Sequence, residues 1–161
     1  MKEKLTEEEY LKILPKKQVG TAVLFFNSIG ELLILKPNYK EGWLVPGGTT
    51  DKGESPLQCA LRETKEEIGL DIPNMQLVGI YHSPKTRKGV EFDSLKFVFN
   101  GGVLTDNQIS QIEMQTEEFD EYTFKNPAEA ISILSLSLQK SVPKCLKAIK
   151  ENTFAYIDSD L

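Results

Sequence analysis

Residues 48–70 read Gly48-Thr-Thr-Asp-Lys-Gly-Glu54-Ser-Pro-Leu-Gln-Cys-Ala-Leu-Arg62-Glu63-Thr-Lys-Glu66-Glu67-Ile-Gly69-Leu70. Ser55 and Gln58 have the spacing of a capping box, Pro56 falls at the first helical position, and Gly69 fits the residue just past a helix end. The stretch therefore predicts a loop feeding a helix over 56–68. On that helix Glu63, Glu66 and Glu67 stand at i, i+3 and i+4 and share a face. Leu57, Ala60, Leu61, Thr64 and Ile68 fall on another arc, expected to face the core. Arg62 lies beside the acidic stripe and is placed to reach back to Glu54 at the helix entrance.

Four carboxylates on so short a segment are costly. Two of them about 5 Å apart repel by roughly 3 kcal/mol at an effective dielectric near 20. A divalent cation reverses the sign, and hard oxygen donors in this number suit Mg²⁺ or Mn²⁺ better than zinc. An isolated E-x-x-E-E face is more often simply solvated. The context argues otherwise, because Trp43-Leu-Val-Pro-Gly-Gly48 lies immediately upstream and supplies a tight turn that lets backbone approach a ligand.

The segment resembles the Nudix box, G-x5-E-x7-R-E-U-x-E-E-x-G-U, where U is a bulky aliphatic residue. Every fixed position is matched, and Thr64 at the first U position is the single departure. Trp43-x-x-Pro46-Gly47-Gly48 is similar to the family's usual approach to the box. Glu118-Phe-Asp-Glu121-Tyr-Thr-Phe124, followed by Glu129, resembles a strand many members carry late in the domain. The resemblance implies an α/β fold, an α/β/α sandwich with a central mixed sheet. It implies metal-dependent hydrolysis of a diphosphate linkage in a nucleoside diphosphate joined to another moiety. It also implies Glu63 and Glu67 as first metal ligands, with Glu66 close behind and the Gly48 carbonyl as a backbone ligand. Glu54 and Arg62 would hold the loop against the helix. The general base would come from Glu63 or Glu66 in the box, or from Glu117, Glu118 or Glu121 later, with Glu118 favoured by its place in the late motif. A base role is open to His82, the one histidine, but it reads more simply as an ordinary strand-end residue.

The rest of the chain reads as one domain over 1–161, within the usual single-domain range. Thr6-Glu-Glu-Glu9 opens a short helix over 6–14. Strands are expected at Val19–Phe26, Glu31–Lys36, Gln76–Tyr81, Leu95–Asn100 and Asp120–Phe124. Ser83–Gly89 reads as a polar loop and Asn100-Gly-Gly as a turn. A helical region follows over 127–155, broken near Ser141-Val-Pro143, with a loose tail from Ile157 to Leu161. Strands mixed with two principal helices independently suggest helices on both faces of a mixed sheet.

A net charge of −5 and a pI near 5.0 argue against a general nucleic-acid or anionic-membrane binder. No run approaches a membrane span, and no basic start leads into an apolar leader. Cys59 and Cys145 lack metal spacing and read as buried thiols of a reducing, cytoplasmic setting. The expected partner is a small nucleotide. Many family members are homodimers, so the resemblance leaves that assembly open. Lys36, Lys40, Lys85, Arg87 and Lys88 are candidates to meet phosphates, and Trp43, Tyr81 or Phe99 to stack on a base. Pro84, fourteen residues past Leu70, hints at the ADP-ribose-cleaving members. ADP-ribose or a nucleotide sugar is thus the first substrate reading. A (deoxy)nucleoside triphosphate is the second, and a non-catalytic nucleotide-binding or sensor module of the same fold the third.

Overall fold

The computed structural model describes residues 5–159, without the Arg87 side chain. The helix α1 (Glu7–Ile13) is opened by a Thr6/Glu9 capping box. Strands β1 (Lys17–Phe26) and β2 (Leu32–Pro37) follow, then α2 (Pro56–Ile68), β3 (Gln76–Arg87), β4 (Val90–Val103) and α3 (Asp106–Ser110). The chain continues through β5 (Phe119–Lys125), α4 (Pro127–Ile133) and α5 (Leu136–Glu151), and ends on β6 (Ala155–Asp158).

The six strands form one sheet in the order β5-β2-β1-β4-β3-β6. β1 runs parallel to β4 and β3 parallel to β6, while the other neighbours are antiparallel. Central strands buried on both faces read as continuous apolar runs, and β1 and β2 show how one run serves two cores. Val23, Phe25, Leu33 and Leu35 point to the side where α2 packs, meeting Ala60, Ile68 and Phe119. Ala22, Leu24, Leu32 and Ile34 point to the opposite side, meeting Ala130 and Leu134 of the α4 region and Leu138, Val142 and Cys145 of α5. The mixed sheet between two helical layers is the expected α/β/α sandwich. Among the described residues no helix is long and apolar enough to cross a membrane.

Several expectations are corrected. The polar segment Ser83–Gly89 is strand as far as Arg87, paired through Arg87↔Val90, and only Lys88-Gly89 turns, with φ of 50° and 76°. Pro84 is tolerated there because β6 pairs only with Gly79–His82 and needs no donor from it. Asn100-Gly-Gly is no turn. β4 runs through it, and the register against β1 slips from Leu24↔Asn100 to Phe25↔Gly102, so Gly101 is a bulge.

Pro143 does not break α5, which is continuous from Leu136 to Glu151. Leu138, Val142, Cys145 and Ala148 are buried along one stripe on both sides of the proline, and that packing outweighs the missing backbone bond. The interruption lies at Leu134-Ser135, between α4 and α5. The helical region stops at Glu151 rather than 155, capped by Asn152 at φ 52°. Ile157, expected in a loose tail, is buried in β6, while residues 160–161 of that tail lie outside the described residues. α3, with its own Thr105/Gln108 capping box, went unread. His82 lies within β3, not at its end.

Candidate active site

The helix α2 has the predicted bounds. Ser55 and Gln58 close a capping box, and Gly69 takes a left-handed conformation at the C-cap. Its buried side chains are Cys59, Ala60, Thr64, Glu67 and Ile68, whereas Leu57 is 41% exposed. The helix is thus rotated from the expected arc by enough to bury a carboxylate.

The loop before α2 is fastened to the sheet by backbone. Val23 N–H donates to the Pro46 carbonyl at 2.7 Å, Thr21 N–H to the Gly48 carbonyl at 2.8 Å, and Thr50 N–H to the Val19 carbonyl at 3.1 Å. The Trp43 N–H donates to the Ile133 carbonyl and its carbonyl accepts from Ser135 N–H, both at 2.8 Å. Two glycines are required by this close packing. A Cβ on Gly47, at φ 138°, would lie 2.4 Å from the Thr21 carbonyl oxygen, and one on Gly48 would lie 2.2 Å from Glu63 Oε1. The Glu63 carboxylate therefore rests directly on the Gly48 backbone, beside the carbonyl expected to serve as a ligand.

Arg62 organises the acidic residues. Nε and Nη2 grip Glu54 Oε1 and Oε2 at 2.8 and 2.9 Å, and Nη1 donates to Glu63 Oε1 at 2.9 Å and Glu66 Oε2 at 3.0 Å. A planar fork suits this arrangement as an ammonium would not. The Arg62 hydrogen bonds, with a further bond from Asp51 N–H, hold the Glu54 carboxyl down at about 2. The same contacts push the Arg62 guanidinium still higher. So Glu54 and Arg62 join the loop to the helix as the spacing suggested.

Glu67 is 5% exposed. Its Oε2 accepts from Gly47 N–H at 2.8 Å. Burial, helped by the charges of Glu63, Glu118 and Glu66, nevertheless lifts its carboxyl to about 8. Glu63 is lifted too, first by burial and then by Glu66 and Glu118, against the pull of Arg62. These groups line a cleft of about 520 Å³ with Glu66 and Glu118, a size that suits a nucleotide-scale ligand. Glu117 and Glu121 do not line it.

The cleft is also lined by lysines. Lys40 on the loop after β2, Lys85 on β3 and Lys96 on β4 line the same cleft. Lys96 Nζ donates to Ser137 Oγ at 2.9 Å, and burial followed by the charges of Lys85 and Lys40 brings its ammonium down to about 8. Tyr39, 57% exposed, stands beside Lys40, whose Nζ lies 5.1 Å from the ring centroid. Neither Lys96 nor Tyr39 was foreseen. Lys96 sits in a strand alternation that gave no signal, and Tyr39 in a loop whose path the sequence does not show.

Other candidates fall away. Tyr81 and Phe99 are 3% and 4% exposed, so they are core residues rather than stacking platforms, and Trp43 packs against the core on the α5 side. Lys36 and Lys88 are exposed outside the cleft, and the Arg87 side chain lies outside the described residues. His82 points its Nδ1 at Asp158 Oδ1, 3.4 Å away, and its Nε2 at Asp93 Oδ1, 3.7 Å away, off the cleft. Cys59 and Cys145 are both buried and free.

The donor set fits a divalent cation. Glu63, Glu66, Glu67 and the Gly48 carbonyl offer hard oxygens from the loop and the helix, and burial, with neighbouring carboxylates adding to it, lifts Glu63 and Glu67. Among the described residues no three acidic, histidine or cysteine side chains converge into a finished cage. Arg62 Nη1 bridges Glu63 and Glu66 instead, so a metal would compete with it.

The NUDIX domain model matches residues 16–147. An uncharacterised Nudix hydrolase of Listeria innocua is 35% identical over 119 residues, which are 68% of this chain and 64% of that protein. The mRNA-decapping enzyme subunit 2 of Saccharomyces cerevisiae is 29% identical over 109 residues, 65% of this chain but only 11% of that protein. The NUDIX domain of Shewanella oneidensis NrtR, solved with ADP ribose, superposes with a TM-score of 0.68 at 16% identity, covering 92% of this chain and 100% of that one. At that identity it shows the fold alone. With its family match spanning β1 to β5, the box helix and most of α5, the chain belongs to the Nudix family.

Proposed function

We propose that this chain is a metal-dependent pyrophosphohydrolase acting on small nucleotides in the cytoplasm, as one domain over 1–161. The observation that carries the reading is a single cleft lined by both kinds of charge. Glu63, Glu66, Glu67 and Glu118 line it together with Lys40, Lys85 and Lys96. An anhydride bridge between two phosphates needs both kinds of wall, one to hold a cation and one to receive anionic oxygens.

Glu63, Glu66, Glu67 and the Gly48 carbonyl would hold Mg²⁺ or Mn²⁺, which when bound neutralises phosphate oxygens and acidifies water. Glu63, Glu66 or Glu118 takes the proton from the attacking water as the new P–O bond forms. The bridging P–O bond breaks and its oxygen leaves on the departing phosphate. Arg62 keeps Glu63 and Glu66 aimed, and its tie to Glu54 keeps the loop against the helix. Lys40, Lys85 and Lys96 hold the diphosphate in place and offset the charge that collects on it.

ADP-ribose or a nucleotide sugar is the first substrate class to test. The second is a (deoxy)nucleoside triphosphate, which the number of lysines favours. A non-catalytic sensor is disfavoured because all four box carboxylates are present. A panel of ADP-ribose, nucleotide sugars, dinucleoside polyphosphates, coenzyme A and (d)NTPs, assayed with and without Mg²⁺ or Mn²⁺, tests the reading. Cleavage of one class only in the presence of metal is expected. A folded protein silent on every member would sink the hydrolase reading.

A further inference from the structure

The pairing of β2 with β5 is irregular where the chain enters the cleft. The register slips between Lys36↔Glu121 and Pro37↔Phe119, and Pro37 has no N–H to give the ladder. Asn38 restores the link twice. Its backbone N–H donates to the Glu118 carbonyl at 2.9 Å, and its side-chain Nδ2 donates to the Glu117 carbonyl at 3.0 Å. The same segment is fastened from the other side. Gln115 N–H donates to the Glu67 carbonyl at 3.0 Å, and Phe119 is buried in the core. An exposed asparagine at a strand end usually does no more than close the strand. Here the two residues after it, Tyr39 and Lys40, line the cleft, and so does Glu118.

Glu118 differs from the other candidate bases in how it is held. Glu63 and Glu66 each accept a hydrogen bond from Arg62 Nη1, at 2.9 and 3.0 Å, which favours their charged forms. Among the described residues the Glu118 carboxylate takes part in no ion pair or side-chain hydrogen bond, so the brace on its backbone sets where it stands. Its charge nevertheless reaches Glu63, Glu67, Tyr39 and Lys40. A carboxylate so central, with both oxygens open, is suited to take a proton, provided its backbone does not drift. A misplacement of about 1 Å can cost about 100-fold in rate.

Resting on the proposed hydrolase reading, we infer that Asn38 is a positioning residue that fixes Glu118 as the proton acceptor of the reaction. Glu118 takes a proton from the water whose oxygen bonds to phosphorus. The bridging P–O bond breaks, and its electron pair goes to the oxygen of the departing phosphate. Asn38 touches neither water nor phosphate and acts only through the Glu118 backbone.

A double-mutant cycle on the full chain tests this. Asn38→Ala, Glu118→Gln and the pair are assayed in Mg²⁺ on the fastest-cleaved member of the same nucleotide panel, ADP-ribose first. Both side chains are exposed, so the variants are expected to fold, which circular dichroism checks. Glu118→Gln should lower kcat about 100-fold. Asn38→Ala should lower it about tenfold, with KM moved less than kcat. The pair should stay within about twofold of Glu118→Gln alone, because the brace then has nothing left to aim. Losses that multiply overturn the inference, since Asn38 would be acting elsewhere. So does a Glu118→Gln variant with the parent's kcat, or an Asn38→Ala variant that keeps it whatever its KM. Hydrogen exchange reads the brace without turnover. Asn38→Ala should speed amide exchange across residues 115–119 and leave α5 unchanged, and equal exchange in that segment contradicts the brace. A parent silent on every substrate removes the hydrolase reading and this role with it. A parent that turns over but shows independent losses removes this role alone.

Discussion

The acidic wall and the lysine wall line one cleft but are built by opposite means. The carboxylates come mainly from a single helix, spaced three and four residues apart, and are cross-tied by one guanidinium that touches Glu54, Glu63 and Glu66. The lysines come from a loop and two strands, with Lys96 tied to Ser137 Oγ. Local spacing makes the first wall rigid before any ligand arrives. The lysine cluster exists only because the sheet has folded, and Glu67 and Glu118 already act on Lys40 within it.

That contrast predicts where damage will be greatest. Glu67→Gln keeps volume and removes charge from the most buried carboxylate, so metal-dependent turnover should fall roughly 100- to 1,000-fold, with the circular dichroism spectrum unchanged. Full activity in this variant would break the assignment of the acidic wall. Arg62→Lys keeps the charge but loses the fork. Steady-state kinetics should show a loss of about 10- to 100-fold, and denaturant unfolding a destabilisation of about 1–3 kcal/mol. An unchanged protein would mean that the cross-tie contributes nothing.

A pH series sharpens the comparison. Glu67, lifted from 4.5 to about 8, keeps its proton in the folded chain where the unfolded chain has lost it. Its stabilising effect is full below about pH 4.5 and is lost as the pH rises through about 8. In chelator, unfolding free energy should therefore drop across that window by roughly 1–3 kcal/mol, and Glu67→Gln should flatten the slope. A slope identical in the variant would place the proton elsewhere. The smallest effect is expected at Lys36→Gln. This lysine is exposed on β2 outside the cleft, and kcat/KM should stay within about twofold of the parent. A large loss there would redraw the basic wall.

The same contrast explains what could be read from sequence. The bounds of α2, the Glu54–Arg62 tie and the convergence of Glu63, Glu66 and Glu67 are local, set by caps and by helical spacing, and they were legible. The burial of Glu67 was not, since it depends on how far α2 rotates against β1. Lys96 was invisible for a similar reason. Its place in the same cleft as the carboxylates follows from the parallel pairing of β1 with β4, a contact between segments some 76 residues apart, as Lys17↔Asp93 shows. Long-range pairing also overrode local signals at Asn100-Gly-Gly, at Ser83–Arg87 and at Ile157. Burial of Val142 and Cys145 did so at Pro143.

The central claim is that the acidic wall holds a divalent cation. Electron paramagnetic resonance of Mn²⁺, titrated into the parent protein and into Glu67→Gln, tests it most directly, because bound and free ion differ in signal and no substrate is needed. The account predicts saturable loss of the free-ion signal in the parent and an affinity at least about tenfold weaker in the variant. Equal affinity in the two proteins, or no binding by either, would contradict it.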